Sequence, residues 1–381
     1  MYKNHTHTAS QHTALLLTGG GARAAYQVGV LKAIASTLPR NSPLPFKIIN
    51  GTSAGAINAT ALSCYASCFH LGVKKLEWVW RNFSTKQVYH TDFMTVFGHI
   101  IGNMLSSFQS DYINHPPASL FDNEPLRGLL KHVLDLQRID RNISLGHLKA
   151  LSITASSYSS GDSVAFYQAN NINPWQRAKR RGENTTINIE HLMASSAIPM
   201  VFPSIKIRKG YFGDGSIHQH APLSPPIHLG ANKIFIIGVD QPSDTKYFGF
   251  QPQYPGISTI AGHLLDTIFS DTLRADIERL DRVNRTVSLL PAREKHQELK
   301  RVETYVINPS ENFNAIANQH YQDMPFAIKT LLRMIGVKKH SESSLVSYLL
   351  FEKAYTRHLI EIGYKDGLAK QEEIKHFLAL P

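Results

Sequence analysis

The chain has 381 residues with 43% hydrophobic content, enough for one large α/β domain with additions or for two domains around a sizeable core. It has no run of 18 apolar residues, so a membrane-spanning helix is not expected, and its two cysteines exclude a disulfide framework and supply too few ligands for a metal site. Forty Lys and Arg against 29 Asp and Glu give a formal charge of +11, which favours an anionic partner such as nucleic acid or an anionic membrane surface.

The N-terminal "MYKNHTHTASQH" has no apolar core and reads as a loose polar leader over residues 1–13, not as a secretory signal. A first strand is expected at Ala14–Thr18, then a glycine turn, then a helix over Ala24–Ser36. "FKIIN" (Phe46–Asn50) reads as a buried strand that passes directly into the small-residue helix of "GTSAGAINATALSCYAS". Strand, tight turn and helix, twice in succession, predict an α/β fold: a mostly parallel central sheet with helices on both faces. Cys64 and Cys68 fall on that second helix as small buried residues, and the two cysteines together point to an intracellular chain. Asn58 begins an N-x-T sequon, but it lies inside a helix that must pack, where a glycan does not fit.

Residues 74–140 read as mostly helical. Within them Phe93–Phe108, rich in aromatics and Met, is either a lid or acyl-chain wall, or an ordinary core helix. Leu151–Asn170 reads as two strands joined by a Ser/Gly turn, and "WQRAKRRGENTT" as a basic loop, either solvated or touching lipid headgroups. A short helix "IEHLMASSA" and a loop-rich stretch "KGYFGDGSIHQHAPLSPPIHLGA" precede a strand "KIFIIGVD". From Ile257 to Leu280 the apolar residues Leu265, Phe269, Leu273, Ile277 and Leu280 recur at helical spacing. The acids on the other face argue that this helix packs on the protein rather than on lipid. A strand "VETYVINPS" and a helical region over residues 325–380 complete the chain.

The loop "TGGGARAA" after the first strand admits three readings. Gly19, Gly21 and Ala24 fit the dinucleotide fingerprint G-x-G-x-x-[GA], but that motif needs an acid about twenty residues on. Residues 1–76 contain no Asp or Glu. A P-loop needs G-K-[ST], and Ala22-Arg23-Ala24 stands there instead. The third reading follows from "GTSAG", Gly51 to Gly55, which matches the nucleophile elbow G-x-S-x-G between an apolar strand and an Ala-rich helix. A serine attacking an ester generates an oxyanion that needs preorganised backbone N–H donors, and Gly19-Gly20-Gly21 can supply them. Serine also needs a base, and Asp214 in "GYFGDGS" is a candidate. A Ser…Asp…His triad stays open, because His218, His220, His228 and His263 all follow Asp214.

G-G-G-x-R, G-x-S-x-G and D-G-x in this order resemble the patatin-like phospholipase family. "HLMASSAIPMVFPSI" and "APLSPPIHLGANKIFIIGV" resemble the family's segments before and after its aspartate, and "SLVSYLLFEKAYTRHLIEIGYKDGLA" resembles the tail of a bacterial subgroup. The resemblance runs from about Ala14 to Ala369. It implies a patatin-like three-layer fold, with a catalytic domain over residues 14–245 and a mainly helical extension over residues 246–381 packed on it. It implies acyl-ester hydrolysis of phospholipids (phospholipase A or lysophospholipase type), with Ser53 as nucleophile and Asp214 as base. Gly19, Gly20 and Gly21 would form the oxyanion hole, flanked by Arg23, Gly51, Gly55 and Gly215. Arg23 would orient the loop or meet lipid phosphate. Two positions depart from the family pattern: Ala24 replaces a further glycine, and Ser216 stands where Ala or Gly follows D-G. The expected partners are a phospholipid or other acyl-ester lipid and a transient anionic membrane surface, with no nucleic acid and no cofactor. Calcium is not required by a dyad with a backbone oxyanion hole. The expected location is the cytoplasm, peripherally on a membrane. A lipid transacylase using the same machinery and a catalytically weak lipid-binding protein are the alternatives.

Overall fold

The computed structural model describes residues 12–90, 119–242, 256–289, 300–334, 336–337 and 344–380. The segment Phe93–Phe108, read above as a lid or a core helix, lies outside them. The strands are β1 (Thr13–Leu17), β2 (Ile48–Thr52), β3 (Ala150–Ser157), β4 (Ser163–Ala169) and β5 (Trp175–Arg177), then β6 (Arg180–Asn184), β7 (Ile205–Ile207), β8 (Gly210–Asp214), β9 (Lys233–Ile237) and β10 (Glu303–Ile307). They form one ten-stranded sheet in the order β10-β9-β1-β2-β3-β4-β6-β5, with β8 on β3 and β7 on β8. β10, β9, β1, β2 and β3 are mutually parallel. β1, β2, β3 and β9 are almost wholly buried because both faces are covered there, as parallel sheets require, while β10 at the edge is partly exposed.

Helices α1 (Ala25–Ser36), α2 (Ala54–Cys64) and α3 (Phe69–Asn82) lie on one face with the C-terminal helix Lys353–Ala369. Alternation along β1 divides the core: Leu15 and Leu17 join that face, while Ala14 and Leu16 face Leu223, Leu229 and the helix Thr272–Leu289 on the other. From β1 the chain moves to β2 on one side, while β9 and β10 fill the other. The loops after β1 and β2 therefore leave the sheet where its strand order reverses, the usual place for a ligand site in such folds.

Several segments differ from the sequence reading. "WQRAKRRGENTT" is not a loop but the hairpin β5–β6, because Trp175 stacks on Tyr167 and seals the sheet edge. "GYFGD" is the strand β8 rather than a turn. Helix α2 ends at Cys64, so Cys68 lies beyond it, half-buried before α3. The helix over 257–289 carries a π-helical turn at Thr267–Asp271. That turn re-phases its apolar stripe, so Leu265 and Phe269 face one core and Leu273 and Leu280 the other. All four are buried, so this helix packs on protein as its acids predicted.

α1 and the helix Lys353–Ala369 cross at Gly29 and Gly363, where backbone meets backbone: a Cβ on Gly363 would run into the Tyr26 carbonyl. Tyr26 Oη also donates to Asp366 Oδ2 at 3.0 Å. Gly363→Val should therefore destabilise the protein by about 1–3 kcal/mol, the usual cost of overpacking. A lowered urea midpoint checks this, and an unchanged midpoint would mean the crossing does not hold the two helices.

Candidate active site

Ser53 sits between the end of β2 and the start of α2 with φ 54° and ψ −130°, a conformation that costs a non-glycine residue about 1–3 kcal/mol. The neighbourhood enforces it. The Ser53 N–H donates to Ser195 Oγ at 2.9 Å, and that hydroxyl donates to the Thr154 carbonyl at 2.6 Å. Gly55 backs directly on the Leu17 and Thr18 carbonyls, and Gly51 on the first turn of α2. A serine at a helix N-cap ordinarily spends its oxygen on the helix N–H groups. Ser53 makes no such bond, so its hydroxyl is left for other work at the positive end of α2.

Asp214 reaches this point through the strand register. Along one edge of β3, β2 pairs up to Thr52 opposite Thr154. The next position, Ala155, pairs with Asp214 of β8, which runs the opposite way. β4 occupies the other edge of β3, so β2 and β8 share one row and meet end to end. The step between Thr154 and Ala155 is one strand residue, about 3.4 Å. Gly215 lies against Thr52, where an added Cβ would be 2.8 Å from the threonine methyl.

The Asp214 carboxyl is fully buried. Oδ1 accepts the Ser216 N–H at 2.9 Å, and Oδ2 has no hydrogen-bond partner of ordinary length. Burial pushes its pKa up to about 6, against the opposing effects of the Ser53 side chain and of Ser216, which favour the charged form. Among the described residues no histidine bonds to Ser53 or Asp214. His218 donates its backbone N–H to Ser156 Oγ at 3.1 Å, while its ring Nδ1 has no partner.

Gly19 lies beneath Phe269 and Ser216, and Gly20 against Val239. No acceptor takes the N–H of Gly19 or Gly20 among the described residues. Gly21 has φ 54°, and a Cβ there would strike the Tyr348 carbonyl. Gly21 and Ser53 line the same cavity. Arg23 fixes the loop from below. It is 1% exposed, and its Nε and Nη2 donate to Ser347 Oγ at 2.9 and 2.7 Å. Nη2 also donates to Asn314 Oδ1 and Nη1 to Tyr348 Oη, both at 2.9 Å, with Asp266 Oδ1 at 3.4 Å from Nη1. Every guanidinium nitrogen is thus engaged, so Arg23 orients the loop and has no nitrogen spare for a lipid phosphate.

A second buried chain holds the loop's origin: Gln27 Nε2 donates to the Thr18 carbonyl, Asn58 Nδ2 to Gln27 Oε1, and Trp80 Nε1 to Asn58 Oδ1, at 2.9, 3.0 and 2.8 Å. Asn58 is fully buried, which closes it to glycosylation. The sequence did not single out Ser195, Gln27 or Gln219 as functional residues. Gln219 accepts from Thr52 Oγ1 at 2.9 Å and donates to Thr154 Oγ1 at 3.2 Å, tying the segment after Asp214 to the elbow. Ser195 stands in the quoted "HLMASSA", but only the tertiary contact gives it a task.

The Asp214 pKa has a consequence for stability. A folded value near 6 lies above the ordinary 3.8, so the carboxyl stabilises the fold fully below about pH 4 and loses that contribution as pH rises through 6. Asp214→Asn is expected to be more stable than wild type at pH 8, by about 3 kcal/mol, with the gain vanishing below pH 4. Thermal melts across that pH range would show it, and equal melting temperatures at pH 8 would mean the buried charge carries no cost.

The family model for the patatin-like phospholipase matches residues 15–227, which contain the glycine loop, the elbow and Asp214. No curated protein matches the chain. Among solved structures it is similar to VipD from Legionella pneumophila, at 11% identity and TM-score 0.39, covering 95% of this chain and 67% of that one. It is similar to the type III effector ExoU at 11% identity and TM-score 0.38, covering 94% of this chain, which spans about half (52%) of that protein. It is also similar to ExoU in complex with SpcU from Pseudomonas aeruginosa, at 13% identity and TM-score 0.28, covering 96% and 78% of the two chains. With its family model matched over residues 15–227, more than half its length, this chain belongs to the patatin-like phospholipase family.

Proposed function

We propose that the protein is a serine acyl hydrolase of phospholipase A or lysophospholipase type, working through a Ser53–Asp214 dyad. One observation carries the proposal: a strained serine whose hydroxyl caps no helix N–H lies next to a buried carboxyl with one oxygen free of any ordinary hydrogen bond, and the serine lines an apolar cavity. In the reaction Asp214 takes the Ser53 proton as Oγ attacks the ester carbonyl carbon. The N–H groups of Gly19 and Gly20, which have no acceptor among the described residues, and that of Gly21 receive the oxyanion. Collapse expels the lysolipid alcohol, which takes the proton from Asp214. Water then attacks the acyl-serine, again losing its proton to Asp214, and as the C–Oγ bond breaks Asp214 returns that proton to Ser53 Oγ and the fatty acid is freed.

The cavity supports a lipid acyl chain as the group transferred. Its floor is one face of α2, with Ala54, Ile57, Ala61 and Tyr65 at helical spacing. Leu76 and Trp80 of α3 and Leu126 and Leu130 of the helix Glu124–Val133 wall it. From Ser53 to Tyr65 the helix rises about 18 Å. A zigzag carbon chain advances about 1.25 Å per atom at ordinary bond lengths and angles, so the floor matches about 14 carbons. Beyond it the Tyr65 ring carries Arg138 at 4.4 Å and Lys75 at 5.3 Å, where an apolar chain gains nothing further.

Among the described residues no helix is long and apolar enough to cross a membrane. A lipid substrate would be met at the bilayer surface, which the +11 charge favours when that surface is anionic.

Wild type should hydrolyse p-nitrophenyl esters, and both Ser53→Ala and Asp214→Asn should lose at least about a hundredfold in kcat while remaining folded. Because Asp214 acts only when ionised, kcat/KM should fall about tenfold per pH unit below about 6. Full activity in Asp214→Asn, or a flat profile from pH 7 to 4, would place the base elsewhere. Ala61→Phe blocks the floor about 12 Å from Ser53, near ten carbons. Its activity on a hexadecanoyl ester should fall at least about tenfold while butanoyl hydrolysis persists. A parallel loss on both esters would sink the acyl assignment.

A further inference from the structure

The basic hairpin β5–β6 packs through Trp175 on the second core, apart from the core that lines the acyl cavity. Its arginines divide by strand alternation. Arg181 is consumed by protein: it donates to Asp162 Oδ2 at 2.7 Å, Glu183 Oε1 at 2.9 Å and Ser160 Oγ at 3.2 Å. Arg180 points the other way and makes no ion pair among the described residues, and its Nε is buried without a partner. It stands between two depressions.

The larger depression brings together cations from separate parts of the chain. Arg177 comes from β5, Arg180 from β6, Arg279 from the helix Thr272–Leu289, and Lys300 from the start of the segment leading to β10. One carboxylate, Asp276, faces them, and it is already held by the Leu223 N–H at 3.0 Å and by Arg279 Nη1 at 3.2 Å. The wall of Leu223, Ile227 and Leu280 belongs to the core on this face of the sheet, with Arg180 half-buried against it and Arg177, Arg279 and Lys300 exposed at the rim. His228 stands at the same wall with its Nε2 buried and unpartnered, edge-on to Trp175. Burial, with Arg177 and Arg180 adding to it, pushes His228 down to about 4, so it is neutral and offers a ring nitrogen rather than another charge. Four cations around one partly neutralised acid leave a local excess of positive charge, which an anion entering between them would offset.

We infer that this cleft binds a phosphate group, with Arg180 as its central ligand and Arg177, Arg279 and Lys300 around it. Tetrahedral, multiply charged oxyanions match the forked donors of arginine, and a phosphate ester or pyrophosphate meets several such side chains at once. The cleft shares no residue with the cavity at Ser53 and is lined from the core on the other face of the sheet, so this is a second site and not the seat of the scissile ester. It adjoins the segment that follows Asp214, since His218, His220 and Ala221 line the smaller depression on the other side of Arg180. The phosphate can be a lipid headgroup, which would orient the enzyme on a bilayer, or a soluble phosphate compound.

The test uses the full chain with two probes, sodium pyrophosphate followed by thermal shift and calorimetry, and vesicles containing phosphatidic acid followed by co-sedimentation. Arg180→Gln is the main variant, and because its side chain makes no hydrogen bond or ion pair among the described residues, it should fold normally. Arg333→Gln, on an exposed helix position, removes the same charge elsewhere. The expected result is binding of at least one probe that weakens about tenfold to a hundredfold in Arg180→Gln and not in Arg333→Gln, the scale of losing a charged hydrogen bond. Dependence on Arg180 for pyrophosphate as well as vesicles identifies a soluble phosphate site, and dependence for vesicles alone identifies a headgroup site. Absence of binding to both probes, or equal weakening by the two variants, overturns the inference.

Discussion

The site depends on one edge of one strand. β3 offers β2 a place up to Thr154 and offers β8 the place from Ala155 onward. The two strands cannot overlap, so β2 must leave the row at Thr52. The sharp turn at Ser53 is how it leaves, and the strain of φ 54° is the cost of leaving so abruptly. β8 arrives from the opposite direction and ends at Asp214. A serine and a carboxylate more than 150 residues apart in the chain are thereby brought together by the backbone pairing of β2 and β8 with β3. Groups carried on sheet and helix termini are positioned more precisely than groups carried on loops.

The surroundings hold this junction from three sides. Ser195 fastens the Ser53 backbone to β3, and Gln219 fastens the segment after Asp214 to Thr52 and Thr154. On the third side Arg23 joins the glycine loop to Asn314, Ser347 and Tyr348, all from the C-terminal part of the chain. β10 of that same region extends the sheet beside β9, and the helix Lys353–Ala369 crosses α1 through paired glycines. The C-terminal region therefore supports the glycine loop directly, although the family model ends at residue 227. A buried guanidinium is retained here at a real desolvation cost, and its return is a fixed loop geometry.

Much of this was legible in the sequence for definite physical reasons. The apolar runs of β1, β2 and β9 could only be strands buried on both faces, and G-T-S-A-G after one of them marked the elbow. The want of acids before Glu77 removed the dinucleotide reading of the glycine loop. Asp214 was different. "GYFGDGS" has the composition of a turn, and it is a strand because β3 has an edge left over for it, which no local pattern reveals; the residues offered Asp214 only as one candidate base, and the family resemblance singled it out. Ser195, Gln27 and Gln219 were invisible for the same reason, being polar residues whose partners lie far off in sequence. "WQRAKRRGENTT" read as a loop because its charges hid the edge hairpin that Trp175 anchors on Tyr167.

The central claim is that Ser53 is nucleophilic because Asp214, fixed at the shared edge of β3, accepts its proton. Covalent labelling by a fluorophosphonate, followed by peptide mass mapping as a function of pH, reads this directly and without a choice of lipid. The account predicts a single adduct on Ser53, with a labelling rate that rises through a midpoint near pH 6 and collapses in Asp214→Asn. An adduct on another serine, or labelling of Ser53 at an undiminished rate in Asp214→Asn, would contradict it.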